Sequence, residues 1–126
     1  MIAEFNRGTK YLEKGNIEKA IGYFKRQLRE SESKEAWLNL GNCYRLLDED
    51  SLCRHAYLQA ADPNMPFIDG RYGPYDLALG NLGLLEYTYG QDDNAIAYYT
   101  KALDINPRHW DSVWNYATAL LRKYCS

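Results

Sequence analysis

One short spacing pattern in the middle of the chain constrains its fold more than any other feature. In the segment K-E-A-W-L-N-L-G-N-C-Y, Trp37, Leu40 and Tyr44 stand at i, i+3 and i+7 and therefore share one face of a helix. Gly41 lies beside Leu40 on this face, although glycine inside a helix costs roughly 1 kcal/mol relative to alanine. We therefore expect a second helix to pack very closely against the first at Gly41.

The same pattern recurs before and after this segment. With Lys34 counted as the first position of a repeat, a second copy can be counted from Met1 and a third from Asp76. The small and aromatic residues at matching positions are Gly8, Ala20 and Phe24 in the first copy, Gly41, Cys53 and Tyr57 in the second, and Gly83, Ala95 and Tyr99 in the third. A partial copy begins at Trp110.

This frame resembles the tetratricopeptide repeat family. The resemblance implies an all-α fold, a superhelical stack of antiparallel helix pairs, with a concave face that binds ligands. It places repeats at about 1–33, 34–67 and 76–109 and a terminal helix at 110–124, within a single domain of residues 1–126. Residues 68–75 are surplus to the repeat and hold Gly70, Gly73 and Pro74, so they are predicted to form an insertion loop.

Periodicity and turn signals predict where the helices begin and end. Ser51 is predicted to cap the second helix of the second repeat, after the segment 48–50 that replaces a glycine turn. Cys53 takes the small-residue position that Ala20 and Ala95 hold elsewhere, and we expect it to be buried. The expected helices cover residues 2–14, 18–30, 34–47, 51–61, 76–89, 94–105 and 108–123.

Glu86 departs from the frame, because the first two repeats have tyrosine at its position. A carboxylate that faces the contact between two helices needs a partner or an exit to water. We expect Tyr87 or Tyr89 to fill the space instead, through a small rotation of the helix.

Composition and charge argue against several classes of protein. The net charge of −2 and the lack of a basic stripe argue against a nucleic-acid partner. No apolar run is long enough to span a membrane, and the first residues do not form a signal peptide. Cys43, Cys53 and Cys125 have neither metal nor disulfide spacing, which favours a cytoplasmic location.

Catalytic signals are absent from the sequence. His55 and His109 are the only histidines, and neither has a partner at metal-ligand spacing. There is no phosphate-binding glycine loop and no nucleophile elbow. The sequence therefore predicts a protein that is not an enzyme and that needs no cofactor.

Asparagine recurs at the sixth position of all four first helices, as Asn6, Asn39, Asn81 and Asn115, with Asn42 three residues after Asn39. A primary amide can bind both the N–H and the C=O of a passing peptide backbone. This series resembles the asparagine ladder of O-linked N-acetylglucosamine transferases. The open alternative is that asparagine is frequent at this position in the family for another reason, such as solubility or contacts between helices. The resemblance also places apolar residues on the same groove: Phe5, Leu38, Leu84, Tyr87 and Trp114.

The chain differs from the chaperone-binding members of the family at the residues that hold an acidic peptide tail. Phe5, Leu77 and Asn81 stand where that clamp has basic side chains. We therefore predict a protein-interaction module for a neutral extended or helical peptide. The alternatives are a non-catalytic arm of a larger enzyme, such as a glycosyltransferase or methyltransferase, and a self-assembling scaffold.

The terminal helix presents an apolar stripe made of Val113, Tyr116, Ala117 and Leu120. In a complete repeat these positions are covered by a second helix, and a capping helix normally has a polar outer face. We expect either that the natural chain continues past Ser126 or that Val113, Tyr116 and Leu120 form a homodimer contact.

Overall fold

The chain folds into helical hairpins. The structure is a computed structural model that describes residues 2–125, with side chains described from residue 7 onward. The helices of this part are α1 (Ile2–Glu13), α2 (Ile17–Glu30), α3 (Lys34–Leu46), α4 (Asp50–Ala61), α5 (Asp76–Thr88), α6 (Asp92–Ile105) and α7 (Trp110–Cys125), and the described residues contain no strand. The predicted all-α fold of paired helices is confirmed, and each helix begins and ends within two residues of its expected position.

Two compact units divide the chain, an N-terminal unit, Met1–Gly73, and a C-terminal unit, Pro74–Ser126. In the N-terminal unit, α1 pairs with α2 and α3 pairs with α4, while α3 also contacts α1 and α2. In the C-terminal unit, α5 pairs with α6, and α7 contacts both. The division falls inside the predicted insertion loop.

A glycine on the first helix of each hairpin faces an aromatic ring on the second. A Cβ atom added at Gly41 would lie only 2.5 Å from the ring of Tyr57, far inside van der Waals contact. The close approach expected at Gly41 is thus confirmed. The other two hairpins repeat it, since an added Cβ atom would lie 2.8 Å from the Phe24 ring at Gly8 and 2.5 Å from the Tyr99 ring at Gly83.

The turn inside the hairpin α3–α4 uses an aspartate where the other two hairpins use glycine. Asp48 has a φ of 56°, close to the values of Gly15 and Gly90. Because this residue already turns the chain, α4 begins at Asp50 with Glu49 as its N-cap and no side-chain cap. The predicted capping role of Ser51 is therefore wrong, since Ser51 lies inside the first turn.

The insertion loop begins by folding back onto the start of α3. The backbone N–H of Lys34 donates to the carbonyl oxygen of Pro66 at 2.7 Å, and the Glu35 carboxylate accepts from the backbone N–H of Ile68 at 3.0 Å. The Lys34 side chain is fully buried, and its Nζ donates to the carbonyl oxygens of Ala60 and Asp62 at the end of α4. A lysine thus satisfies carbonyl groups that a helix end leaves unpaired.

In the C-terminal unit, α6 and α7 enclose a small core of Ala95, Tyr99 and Ala119. Glu86 is only 7% exposed, and its Oε2 accepts a 3.4 Å hydrogen bond from Asn94 Nδ2 on α6. The carboxylate therefore stays on the buried side of α5 and has a partner there. Glu86 is therefore not displaced by the helix rotation expected from the sequence. Of the two tyrosines expected to fill the space, Tyr87 packs against this core, whereas Tyr89 is exposed.

Candidate functional site

The asparagines at the sixth repeat position lie on the first helix of each repeat, partly exposed at the protein surface. Asn39 on α3, Asn81 on α5 and Asn115 on α7 are each half-buried. Such partial exposure leaves an amide within reach of a partner while its helix fixes its position. The side chains of Asn6 and Phe5 lie outside the described residues.

In the N-terminal unit, one predicted binding residue is buried and another is bonded to the second helix of its hairpin. Leu38 is buried, at 8% exposure. Asn42 Oδ1 accepts a 2.5 Å hydrogen bond from the hydroxyl group of Tyr57 on α4. The amide oxygen of Asn42 is therefore engaged in holding α3 to α4, a role that its spacing in the sequence did not indicate.

In the C-terminal unit, the first helices α5 and α7 approach each other at Gly80. A Cβ atom at Gly80 would lie 2.8 Å from both His109 Cε1 and Ser112 Oγ. Ser112 Oγ and His109 Nδ1 are 2.7 Å apart and hold the start of α7 in place. Asn81 follows Gly80 directly, and Asn115 lies one turn after Ser112, so two predicted amides belong to closely approaching helices.

Tyr87, another predicted binding residue, is half-buried beneath an arginine that the sequence did not single out. The guanidinium carbon of Arg122 lies 3.5 Å from the centroid of the Tyr87 ring, and Arg122 donates to the backbone oxygen of Tyr87. The same guanidinium group hydrogen-bonds to Asp92, which lowers the pKa of that carboxyl group. Arg122 lies thirty-five residues from Tyr87, so no local sequence signal links them.

The exposed face of α7 is strongly apolar. Trp114 is 75% exposed, whereas Val113, Tyr116 and Leu120 of the predicted stripe are each half-buried, and Tyr116 packs against the core of Ala95, Tyr99 and Ala119. The helical period places further exposed side chains on the same side as Trp114, namely Trp110, Leu121 and Tyr124. Leu84, on α5, is half-buried.

The described residues show no arrangement typical of metal or thiol chemistry. Among them, no group of three His, Cys, Asp or Glu side chains could hold a metal ion. Burial raises the pKa of the Cys43 thiol to about 11 and also raises that of Cys53. Both thiols are fully buried, as expected for Cys53, and protonated thiols are poor nucleophiles. In the same part of the chain, no helix is both long and apolar enough to cross a bilayer.

Comparison with known families identifies the repeat. One model described as "Tetratricopeptide repeat" matches residues 5–67, and a second with the same description matches residues 77–109. Between the two matches lie residues 68–76, which contain the insertion loop. No curated protein sequence matches the chain.

Solved structures with the same fold include three of different kinds. The crystal structure of MamA is 26% identical with a TM-score of 0.80, over 95% of this chain and 66% of that one. TTC0263, a thermophilic TPR protein in Thermus thermophilus, is 29% identical with a TM-score of 0.69, over 86% and 52%. The first TPR of Spaghetti (RPAP3), bound to the HSP90 peptide SRMEEVD, is 15% identical with a TM-score of 0.83, over 99% and 93%. This chain thus spans just under two thirds of MamA and about half of the Thermus protein.

Proposed function

The chain belongs to the tetratricopeptide repeat family, and we propose that it is a protein-interaction module that binds a peptide segment on the exposed faces of its first helices. The observation that carries this proposal is the close approach of α5 and α7, at 2.8 Å from a Gly80 Cβ position to Ser112. It brings together two first helices that each carry a half-buried sixth-position amide, Asn81 and Asn115.

The amide groups suit a peptide backbone better than a particular side chain. Each primary amide offers donors and an acceptor that match the N–H and C=O groups of an extended chain. Helices pack about 8–10 Å apart, and an extended chain rises about 3.3 Å per residue, so neighbouring amides would meet every third residue or so. This proposal applies the resemblance to the asparagine ladder to the C-terminal unit, with Asn39 as the corresponding residue of the N-terminal unit.

We propose a neutral peptide because the surface offers apolar anchors and few cations. Leu84 and the exposed Trp114 accompany the amides, and Leu77 stands where chaperone-binding relatives have a basic residue. Arg122, which covers Tyr87, is hydrogen-bonded to Asp92. The RPAP3 domain was solved with SRMEEVD, a peptide rich in acidic residues. The surface proposed here lacks the charges to favour such a sequence.

The test is selection from a displayed library of random neutral and acidic peptides, followed by calorimetry on the selected sequences. Asn81→Ala with Asn115→Ala is expected to weaken binding by about fivefold for each lost hydrogen bond, since each contributes about 1 kcal/mol. Gln91→Ala, which removes an exposed amide outside the surface, is the matched control. Binding should change little with salt. Selection of acidic peptides only, or equal affinity for the double variant, would refute the proposal.

We also propose that α7 pairs with α7 of a second copy, because its apolar side has no cover among the described residues. Trp110, Trp114, Leu121 and Tyr124 are 61–75% exposed, and Val113 and Leu120 extend the same apolar surface. A contiguous apolar patch of this kind is typical of an interface. A two-fold axis would close the contact, with Tyr116 at its edge.

Sedimentation over a wide concentration range tests this pairing. The parent chain is expected to dimerise, and Val113→Lys with Leu120→Lys to remain monomeric. Lys101→Glu, on α6, is a charge-changing control that leaves α7 intact. A parent chain that stays monomeric at high concentration contradicts the pairing.

A further inference from the structure

A cleft in the N-terminal unit lies away from the amide positions of the first helices. Its volume is about 320 Å³, and it is bounded by α2, α3 and α4. The floor is the face of α3 that carries the repeat signature, formed by Trp37, Leu40 and Tyr44, with Leu28 of α2 beside it. Leu40 and Tyr44 are buried, so the floor is a firm apolar surface. The corresponding residues of α5 include the carboxylate of Glu86, so this floor is particular to the N-terminal unit.

The rim of the cleft is cationic on one side and apolar on the other. Lys25 and Arg29 of α2 line it, and no carboxylate of the described residues does. Both basic side chains lie at the surface, and neither has an ion pair within the described part of the chain. On the opposite side, Leu52 of α4 is 47% exposed, and the His55 ring stands edge-on to Trp37 at 5.6 Å. This local positive charge contrasts with the net charge of −2 for the whole chain.

We propose that this cleft binds an acidic peptide segment with one bulky apolar side chain, as a second interaction site that is independent of the surface that carries Asn81 and Asn115. The volume lies at the low end of the range for ligand pockets, about 300–1,000 Å³, which suits one large side chain. The apolar floor gives that side chain its contact area.

Charge and spacing favour a peptide over a small apolar acid. Lys25 and Arg29 are four residues apart on α2, which separates them by about 6 Å along the helix axis. A small carboxylate would engage one of them. A peptide with a carboxylate on each side of its apolar residue reaches both while the apolar side chain enters the cleft. Acidic side chains also gain from the positive rim during association.

The probes are three acetylated and amidated peptides of the same length. Gly-Glu-Phe-Glu-Gly carries the proposed chemistry, Gly-Gln-Phe-Gln-Gly removes the charge, and Gly-Glu-Gly-Glu-Gly removes the anchor. Binding is followed by the indole N–H signals in ¹H–¹⁵N spectra, since the chain has three tryptophans. Trp37 reports on the cleft, while Trp110 and Trp114 report on α7.

The first peptide is expected to shift the Trp37 signal saturably, with binding that weakens as salt rises. The glutamine peptide should bind about tenfold more weakly, from the loss of two exposed ion pairs. The glycine peptide should leave Trp37 unshifted. Shifts confined to Trp110 and Trp114, or equal binding of the glutamate and glutamine peptides, would overturn the assignment of this cleft.

Matched variants separate the cleft from general charge effects. Lys25→Gln with Arg29→Gln should make the glutamate and glutamine peptides bind equally. Lys101→Gln with Arg108→Gln removes the same charge from exposed positions of the C-terminal unit and should leave the preference intact. Leu52→Asp, at an exposed rim position, should abolish binding of the glutamate peptide while the remaining amide signals stay in place. Loss of the preference in the Lys101 and Arg108 variant would contradict a specific cleft.

Discussion

The hairpins α3–α4 and α5–α6 share a contact between a glycine and a tyrosine ring but differ in whether the tyrosine hydroxyl group has a hydrogen-bond partner. In both, a glycine of the first helix packs against a buried tyrosine ring, Gly41 against Tyr57 and Gly83 against Tyr99, and a Cβ atom added at either glycine would lie 2.5 Å from that ring. Asn42 accepts the hydroxyl hydrogen bond of Tyr57. In α5–α6 the equivalent residue is Leu84, and the buried Tyr99 hydroxyl has no partner among the described residues. The ring contact thus does not depend on the hydroxyl bond.

The same two hairpins also differ where the second helix returns to the start of the first. In α3–α4, buried Lys34 donates to backbone carbonyl groups at the end of α4. In α5–α6, the equivalent Asp76 accepts from Asn106 Nδ2 at 2.8 Å. Counted in the repeat, α4 ends two positions earlier than α6. Residues of opposite charge, Lys34 and Asp76, therefore occupy the same repeat position, because the groups within their reach depend on where the second helix ends.

The largest expected effect tests what the two hairpins share. Gly41→Ala and Gly83→Ala each force a methyl group into a tyrosine ring, and overpacking typically costs about 1–3 kcal/mol, with these overlaps near the upper end. Amide hydrogen exchange read separately in each hairpin measures the loss. Gly22→Ala is the control, since its Cβ would meet nothing within 4 Å, and it should stabilise α2 by up to about 1 kcal/mol. Equal stability of Gly41→Ala and the parent would show that this helix contact is misplaced.

The next effect tests the difference at the hairpin ends. Lys34→Met leaves two carbonyl groups without their donor, and we expect the free energy of unfolding to fall by about 2 kcal/mol. Asp76→Ala should cost about 1 kcal/mol or less, because Asp76 is half-exposed. Urea unfolding with hydrogen exchange in each unit measures both. A Lys34→Met protein more stable than the parent would mean that the cost of burying the charge exceeds the value of its hydrogen bonds.

Alkaline pH should destabilise α3–α4 through Cys43, whose counterpart in α5–α6 is Leu85. The pKa of the Cys43 thiol rises from its ordinary value of 9.0 to about 11 on folding, chiefly through burial. The unfolded chain therefore loses this proton first, and stability falls between about pH 9 and pH 11, by on the order of 2 kcal/mol. Burial lowers the pKa of Lys34, which acts in the opposite direction as the pH approaches 10.5.

Comparison with Cys43→Ala separates these two contributions. The variant loses packing contacts at every pH, and the stability advantage of the parent should shrink as the pH rises from about 8 to about 10.5. Urea titrations of both proteins at each pH give the difference. A constant difference would contradict a raised thiol pKa.

The smallest effect concerns the two hydroxyl groups. Tyr57→Phe should cost about 1 kcal/mol, because Asn42 loses its donor, while Tyr99→Phe should be neutral or slightly stabilising. In a Leu84→Asn background, Tyr99→Phe should become costly by about the same amount. This double-mutant cycle is measured by urea unfolding, and a cost for Tyr99→Phe in the parent chain would show that its hydroxyl group is satisfied.

Local sequence patterns predicted the helices and the close contacts between them more securely than the partners of the neighbouring polar side chains. The glycine and aromatic positions are fixed in the repeat frame, so Gly41 could be assigned a close contact before its partner was known. Asn42 looked like a binding residue because its position lines the groove in the family. Its hydrogen bond to Tyr57 joins residues on two helices. Helical periodicity does not show whether an amide at this position points toward solvent or toward the neighbouring helix.

The sequence by itself determined the helical hairpins and their small-residue helix contacts, because periodicity and glycine placement act within one or two turns of chain. Only the tertiary structure decided that Lys34 is buried at the end of α4, that Arg122 covers Tyr87 and that Trp37 floors a cationic cleft. Each of these contacts joins groups that lie far apart along the chain. Their partners are chosen by packing and by the need to satisfy buried polar groups, which depend on distances that spacing along the chain does not contain.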